Sequence, residues 1–396
     1  MSQATLLDGI VVLDATQVMA GPYCAMLLAD MGARVIKVEP PAGDSTRSMA
    51  GARGNDSPAF NAVNRGKQGI VLDLTHEKGR AVFTRLARLS DILIENFRPG
   101  VMAKFGLDYE SLRAENPRLI YASISGHGQT GPWASKGGFD LIAQGLSGLM
   151  SVTGPPAGEP VKVGVPITDL GAALFAATGI LGALHHRSKT GLGQHVDTSL
   201  VDAGLALSVW EVAVYDATGE VPGPLGTAHR LSAPYQAFRC ADGHITIGAA
   251  NDRNFQKVAR VLGHHEWITD ARFTANTGRI RHRDELARLI EAETTRQPVA
   301  HWIGEFEKAG VPCGPILNYR DALETPQATA REMTVRVDHP TLGPLRTLGT
   351  PIKMSAAPLN PRRRGPMLGE HTDDILADAG YSQDEIEQLR YAGVVG

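Results

Sequence analysis

Cysteine is scarce in this chain of 396 residues: only Cys24, Cys240 and Cys313 occur. The count is odd and no pair forms a C-x-x-C, which argues against a disulfide framework or a zinc ribbon and fits a reducing, cytoplasmic compartment. The 13 histidines include no H-E-x-x-H, so no metal site of that type is expected. Neither sign of charge dominates. The net charge of −3 removes any sequence-independent attraction to nucleic acid. The opening "MSQATLLDGIVVLD" lacks both a basic start and a long apolar run, so it does not read as a secretory signal. The apolar run after Asp169 is long enough for a membrane span. It is rich in Ala and Gly and ends in "HHRSK", so a buried helix is the expected reading.

What is present is a globular balance, with 43% hydrophobic and 20% charged residues. The length exceeds one ordinary core and suggests two domains. "GIVVLDAT", "RVIKVE", "GIVLDL", "DILIENF" and "RLIYASISG" are short apolar, β-branched runs. Helical patterns such as "AGPYCAMLLADMGA" and "HEKGRAVFTRLARLS" separate several of them. Alternating strands and helices predict an α/β fold with a parallel, doubly wound sheet. No G-x-G-x-x-G follows the first strand and no G-x-x-x-x-G-K-[ST] exists, so the layout is Rossmann-like without the nucleotide fingerprints. "GLGQH" at Gly191–His195 reads as a turn. After about residue 218 a Gly/Pro-rich stretch, "TGEVPGPLGTAHRLSAPYQAF", marks a linker. The expected division is 1–218 for a large domain, 219–325 for a small α/β domain, and 326–396 for a segment that returns to the first.

Asp169 stands at the head of the long apolar run. Leu170, Leu174, Ala177, Leu181 and Leu184 recur at spacings of three and four, which predicts one buried helical face. The small residues between them allow close approach to another element. Asp is among the best helix caps, worth about 1 kcal/mol, although the capping box is absent because residue 172 is Ala. The same place suits a nucleophile, since a helix N-terminus keeps a carboxylate ionised and offers N–H groups to a developing oxyanion. Local sequence leaves both readings open.

A series of longer stretches carries a resemblance. "LLDGIVVLDATQVMAGPYCAMLLADMGARVIKVEPP", "ILIENFRPGVMAKFGLDYESL", "PRLIYASISGHGQTGPWASKGGFDLIAQGLSGLMSVTG", "VGVPITDLGAAL" and "PMLGEHTDDIL" stand in an order and spacing similar to the class III CoA-transferases. That group includes formyl-CoA transferase, carnitine CoA-transferase and α-methylacyl-CoA racemase. The resemblance implies two open rings, each with a Rossmann-like large domain and a small domain, interlocked as a homodimer. It also implies that Asp169 is the covalent nucleophile and that CoA and acyl-CoA are substrates rather than a resident cofactor. The partners it implies are an acyl-CoA and a small carboxylic acid. Phe139 stands where the racemase branch has a histidine. A phenyl ring carries no proton, so the racemase reading becomes an alternative, with a non-catalytic acyl-CoA-binding protein as another. Asp140 is placed near the reactive carboxylate, with Gln144 one helical turn on.

By the same resemblance Val18, Met19 and Ala20 line the pantetheine end, and Leu72, Asn96 and Lys104 contact CoA. Arg98 lies in the same basic segment, and Lys136 supplies a shifted basic contact. Pro40 and Thr75 depart from the family pattern, where an Arg and a Lys stand. "GTAHRLSAPYQAFRCADGHITIGAANDRNF" resembles the dicarboxylate-specific members, such as succinyl-CoA:glutarate CoA-transferase. A dicarboxylate needs a cation for its second carboxylate, and Arg65, Arg47 and His229 are the candidates.

Overall fold

The computed structural model describes residues 5–396. The apolar runs become β1 (Val11–Ala15), β2 (Arg34–Glu39), β3 (Gln68–Val71), β4 (Ile92–Glu95) and β5 (Ile120–Ser125), and His195–Ser199 adds β6. They form one parallel sheet in the order β3-β2-β1-β4-β5-β6, with Leu13 level with both Ile36 and Leu93, and Tyr121 level with His195. Helices cover both faces, so the inner strands are apolar on both. Val12, Val35, Ile92 and Ala122 face one core, while Leu13, Ile36, Leu93 and Tyr121 face the other.

The first core is closed by α1 (Ala20–Asp30) and by a long helix, Ile167–Thr190. The second is closed by α2 (Glu77–Arg88) and by two C-terminal helices, Thr372–Asp378 and Gln383–Tyr391. Between β5 and β6 come α3 (Asp140–Leu146) and α4, the long helix Ile167–Thr190. After β6 follow α5 (Leu200–Leu207) and α6 (Val209–Thr218).

α4 follows the expected stripe only in part: Ala177 is buried and Leu181 and Leu184 pack against the first core. Its buried face is Gly171, Ala172, Ala173, Ala176, Ala177, Ile180 and Ala183, whereas Leu174 is 52% exposed. The small face wins because α4 lies close against α1, α5 and the sheet. A Cβ on Gly179 would meet a Val196 methyl at 2.8 Å. α4 is long and apolar enough to span a membrane by length and composition, and this packing gives that apolarity a core role. It ends at Gly191, whose φ of 78° is the left-handed C-terminal stop that glycine provides.

By contact the chain divides into two units. The first comprises the chain to Leu149, Lys162–Ala217 and Pro326–Gly396, and contains the parallel sheet. The second comprises Met150–Val161 and Thr218–Thr325. No boundary inside 1–218 was expected, but Met150–Val161 groups with the second unit, where Gly226 N–H donates to the Gly154 carbonyl at 2.8 Å. That unit has an antiparallel sheet of Tyr235–Arg239, His244–Gly248 and Cys313–Pro315. Phe238, Ile247, Phe255, Trp302 and Phe306 fill its core.

Candidate active site

A cleft of about 240 Å³ opens in the first unit where the loops after β1, β4 and β5 meet. Strand order reverses between β1 and β4, and open parallel sheets bind ligands at the carboxyl ends of strands flanking such a point. Gln17–Ala20 form one wall, Asn96–Pro99 a second, and Ile124–Gly126 with Gly138 and Phe139 a third; Asp169 completes the lining. The third wall depends on two glycines. A Cβ on Gly126 would come within 2.7 Å of the Gly138 Cα, so two backbones touch there.

Asp169 is the third residue of α4, inside its first turn rather than at the cap. The cap comes from α3. Asp140 Oδ1 accepts from Thr168 N at 3.0 Å and from Thr168 Oγ1 at 2.8 Å. The other oxygen of Asp140 accepts from Gln144 Nε2 at 2.8 Å, and Gln144 Oε1 accepts from Val163 N, also at 2.8 Å. Gln144 is wholly buried. Among the described residues no donor meets the Asp169 carboxylate. Burial, then the negative charge of Asp140, pushes its pKa up to about 6. At pH 7 it is therefore still mostly ionised, and more basic than an ordinary aspartate.

Asn96 is tied to the opposite wall. Its Oδ1 accepts from Gln17 N at 2.8 Å and its Nδ2 donates to Gln17 O at 2.7 Å, so its amide engages the two peptide groups that flank the Gln17 Cα. Val18, Met19 and Ala20 line the cleft. Arg98 and Lys136 are its cationic side chains, with Lys136 Nζ 4.4 Å from the centre of the Trp133 ring. Lys104 is exposed at the end of the short helix Val101–Lys104 and does not line this cleft.

Three other expected ligand contacts need correction. Leu72 is 1% exposed, sits in the second core and bridges to Val395, so it presents no surface to an adenine. Arg47 is spent internally. It forms two 2.7 Å bonds to Glu39 and one of 2.9 Å to Asp56, and lies over the Phe60 ring. Arg65 is bound through two nitrogens to Asp30, at 3.0 and 2.7 Å. Neither guanidinium lines the cleft, and neither is free for a substrate carboxylate. His229 belongs to the second unit, where its Nδ1 accepts from Leu231 N at 3.1 Å and its ring meets Tyr235 edge-on.

Other features escaped sequence reasoning. Gln17 lines the cleft. Beneath its loop lies a buried charge network: Lys67 pairs with Asp14 at 2.7 Å and Lys37 with Asp44 at 3.1 Å. Its partners come from separate elements, and no local pattern joins them. Glu95, at the end of β4, has its pKa raised to about 7, mainly by burial. Among the described residues no group of three His, Cys, Asp or Glu is placed to hold a metal ion, and no histidine lines the cleft.

The family model for CoA-transferase family III matches residues 7–372. The chain belongs to that family. It is a CoA-transferase family III enzyme, and enzymes of that family use CoA thioesters as substrates. Among curated relatives, acetyl-CoA:oxalate CoA-transferase of Acetobacter aceti is 43% identical over 88% of this chain and 89% of its own. Succinyl-CoA:glutarate CoA-transferase of Mus musculus is 38% identical over 98% of this chain and 90% of its own. A solved CaiB/BaiF family protein from Brucella suis superposes with a TM-score of 0.84. It is 40% identical, covering 95% of this chain and 100% of that one.

Proposed function

We propose that this CoA-transferase moves CoA from succinyl-CoA to a C5 dicarboxylic acid such as glutarate or itaconate, with Asp169 as covalent carrier. The observation that carries the reading is a carboxylate that meets no hydrogen-bond donor among the described residues, pushed up to about pKa 6, in a cleft at the sheet's switch point. The two curated relatives described above act, by their names, on oxalate and on glutarate, both dicarboxylates, and the second uses succinyl-CoA.

The chemistry conserves the thioester. An Asp169 oxygen attacks the thioester carbon of the donor, the C–S bond breaks, and a mixed anhydride forms with release of CoA thiolate. The thiolate then attacks the aspartyl carbonyl, releasing the donor acid and leaving an aspartyl-CoA thioester. The acceptor carboxylate attacks that thioester, expels the thiolate again and forms a second anhydride. Thiolate attack on the acceptor's acyl carbon yields the new acyl-CoA and restores the Asp169 carboxylate. Every step passes through a tetrahedral oxyanion. α1 opens on the cleft without a side-chain cap, and its first N–H groups, on Ala20 and Gly21, meet no acceptor among the described residues. They are suited to that developing charge. Arg98 and Lys136 are suited to the CoA phosphates.

We read the working form as the interlocked homodimer of the family, in the cytoplasm. In support, Phe139, Leu141, Ile142, Leu174, Val209 and Trp210 of the first unit are exposed large apolar side chains, of the kind a partner chain covers. The test is to incubate the protein with succinyl-CoA and a panel of carboxylic acids and follow new CoA esters by mass spectrometry. Glutaryl- or itaconyl-CoA formation, and hydroxamate formation at Asp169 with hydroxylamine only when acyl-CoA is present, support the reading. Exchange of the α-proton with deuterium and no acceptor requirement would replace it with the racemase reaction.

A further inference from the structure

Val18 has a φ of 69°, a left-handed conformation that is strained for a β-branched residue. It sits in the four residues, Thr16–Met19, that turn the chain from β1 into α1 and wall the cleft. The surrounding protein over-determines that conformation. Asn96, one residue beyond β4, holds the Gln17 backbone on both sides of its Cα, through the N–H and the C=O of Gln17. The Val18 N–H donates to both oxygens of Asp44, at 3.4 and 3.2 Å. Asp44 is itself fixed by Lys37 at 3.1 Å and by Thr46 N at 3.0 Å, and the Lys37 ammonium also donates to the Thr16 carbonyl. Thr16 N–H is bound by Asp14 at 3.0 Å. Every peptide from Thr16 to Val18 is thus clamped from outside the loop.

From this geometry we infer that Asn96 is a positioning residue: it holds the strained Gln17–Val18 loop as a stiff wall of the cleft shared with Asp169. Its Oδ1 and one N–H of its Nδ2 are engaged by the Gln17 backbone, which fixes the orientation of the amide toward the loop. A wall fixed before the thioester arrives spares the reorganisation that each tetrahedral step otherwise requires. The inference rests on reading this cleft as the transfer site.

A double-mutant cycle tests it. Asn96→Ala frees the Gln17 peptide, and Val18 relaxes out of the left-handed region. The expected result is a fall in kcat of roughly 10–100-fold with KM for acyl-CoA within about threefold. Glycine adopts positive φ without steric cost. In the Val18→Gly background the loss from Asn96→Ala therefore shrinks by about tenfold, a coupling that independent sites do not show. Asn96→Asp, which keeps the acceptor for Gln17 N–H and loses the donor, gives an intermediate loss and serves if the alanine variant does not fold. Without any substrate, amide exchange at residues 16–20 should be faster in Asn96→Ala than in the parent. A rise in KM for acyl-CoA at unchanged kcat, equal in both backgrounds, would make Asn96 a direct CoA contact and overturn the inference. Failure of the transfer-site reading shows elsewhere, as undiminished transfer by Asp169→Asn, and leaves the exchange measurement standing.

Discussion

Asp14 and Asp169 are both acids of the first unit, and their surroundings treat them in opposite ways. Asp14 ends up below the usual carboxylate range: burial alone would raise it, but the Lys67 and Lys37 charges and the bonds from Lys67 and Thr16 outweigh that. Asp169 has no such company. Burial raises it and the neighbouring Asp140 raises it further, to about 6. A carboxylate with both oxygens engaged by an ammonium, a hydroxyl and a backbone N–H is a poor nucleophile, however central its position. One left without donors, and more basic than usual, is available to attack an acyl carbon. Arg47 and Arg65 repeat the lesson on the cationic side, where full pairing removes a charge from ligand chemistry.

The largest contrast should come from neutralising each acid in turn. Asp169→Asn is expected to cut CoA transfer by roughly 10⁴-fold, because no covalent carrier remains. It should also raise the melting temperature above pH 6. The sign follows from the folded acid's raised pKa: between 3.8 and about 6 the folded state holds the proton more tightly, so stability falls as pH rises through that window and the penalty is complete above it. Asp14→Asn should act the other way and lower stability at neutral pH. Calorimetry at pH 5 and pH 8 on both variants checks the pair, and the same sign for both would break the contrast.

Breaking the saturated site from its cationic end comes next. Lys67→Met leaves Asp14 buried beside one lysine fewer and should cost about 3–5 kcal/mol of stability, read from the urea midpoint. Pairing it with Asp14→Asn should recover part of that loss. A smaller effect is expected at the cleft wall. Gly126→Ala pushes against the Gly138 backbone and should cost about 1–3 kcal/mol, with kcat falling before the fold is lost. The smallest effect probes the electrostatics of Asp169 directly. The acid limb of kcat/KM should lie near pH 6, with activity rising as pH rises through it. Asp140→Asn removes one cause of that elevation and should shift the limb downward, by less than about one pH unit. A limb that stays in place would separate Asp140 from Asp169 electrostatically.

β1 to β5 were legible in the sequence because each is a short β-branched run with a polar end. β6 was not, since "HVDTS" is a polar edge strand, and edges carry charge to discourage pairing with other chains. On α4 the stripe holds at Ala177, Leu181 and Leu184 and fails at Leu174, because periodicity weighs leucine above alanine whereas close approach selects the smaller residue. Asp169 could be read from its motif, and its lack of partners could not. The arginines misled for a related reason. Asp30 lies 35 positions from Arg65, on another element, and nothing near either residue announces the pair.

The C-terminal helices Thr372–Asp378 and Gln383–Tyr391 close one face of the sheet, and Asp73 N–H bonds the Val394 carbonyl. That face is therefore the last to be finished during synthesis. When the ribosome has passed Thr325, all the strands of the parallel sheet exist, yet the layer over Ile36, Ile70 and Leu93 has α2 but lacks the helices Thr372–Asp378 and Gln383–Tyr391. A nascent chain at that point leaves part of an oily flank open to solvent, and its need for chaperones should end only when these two helices dock.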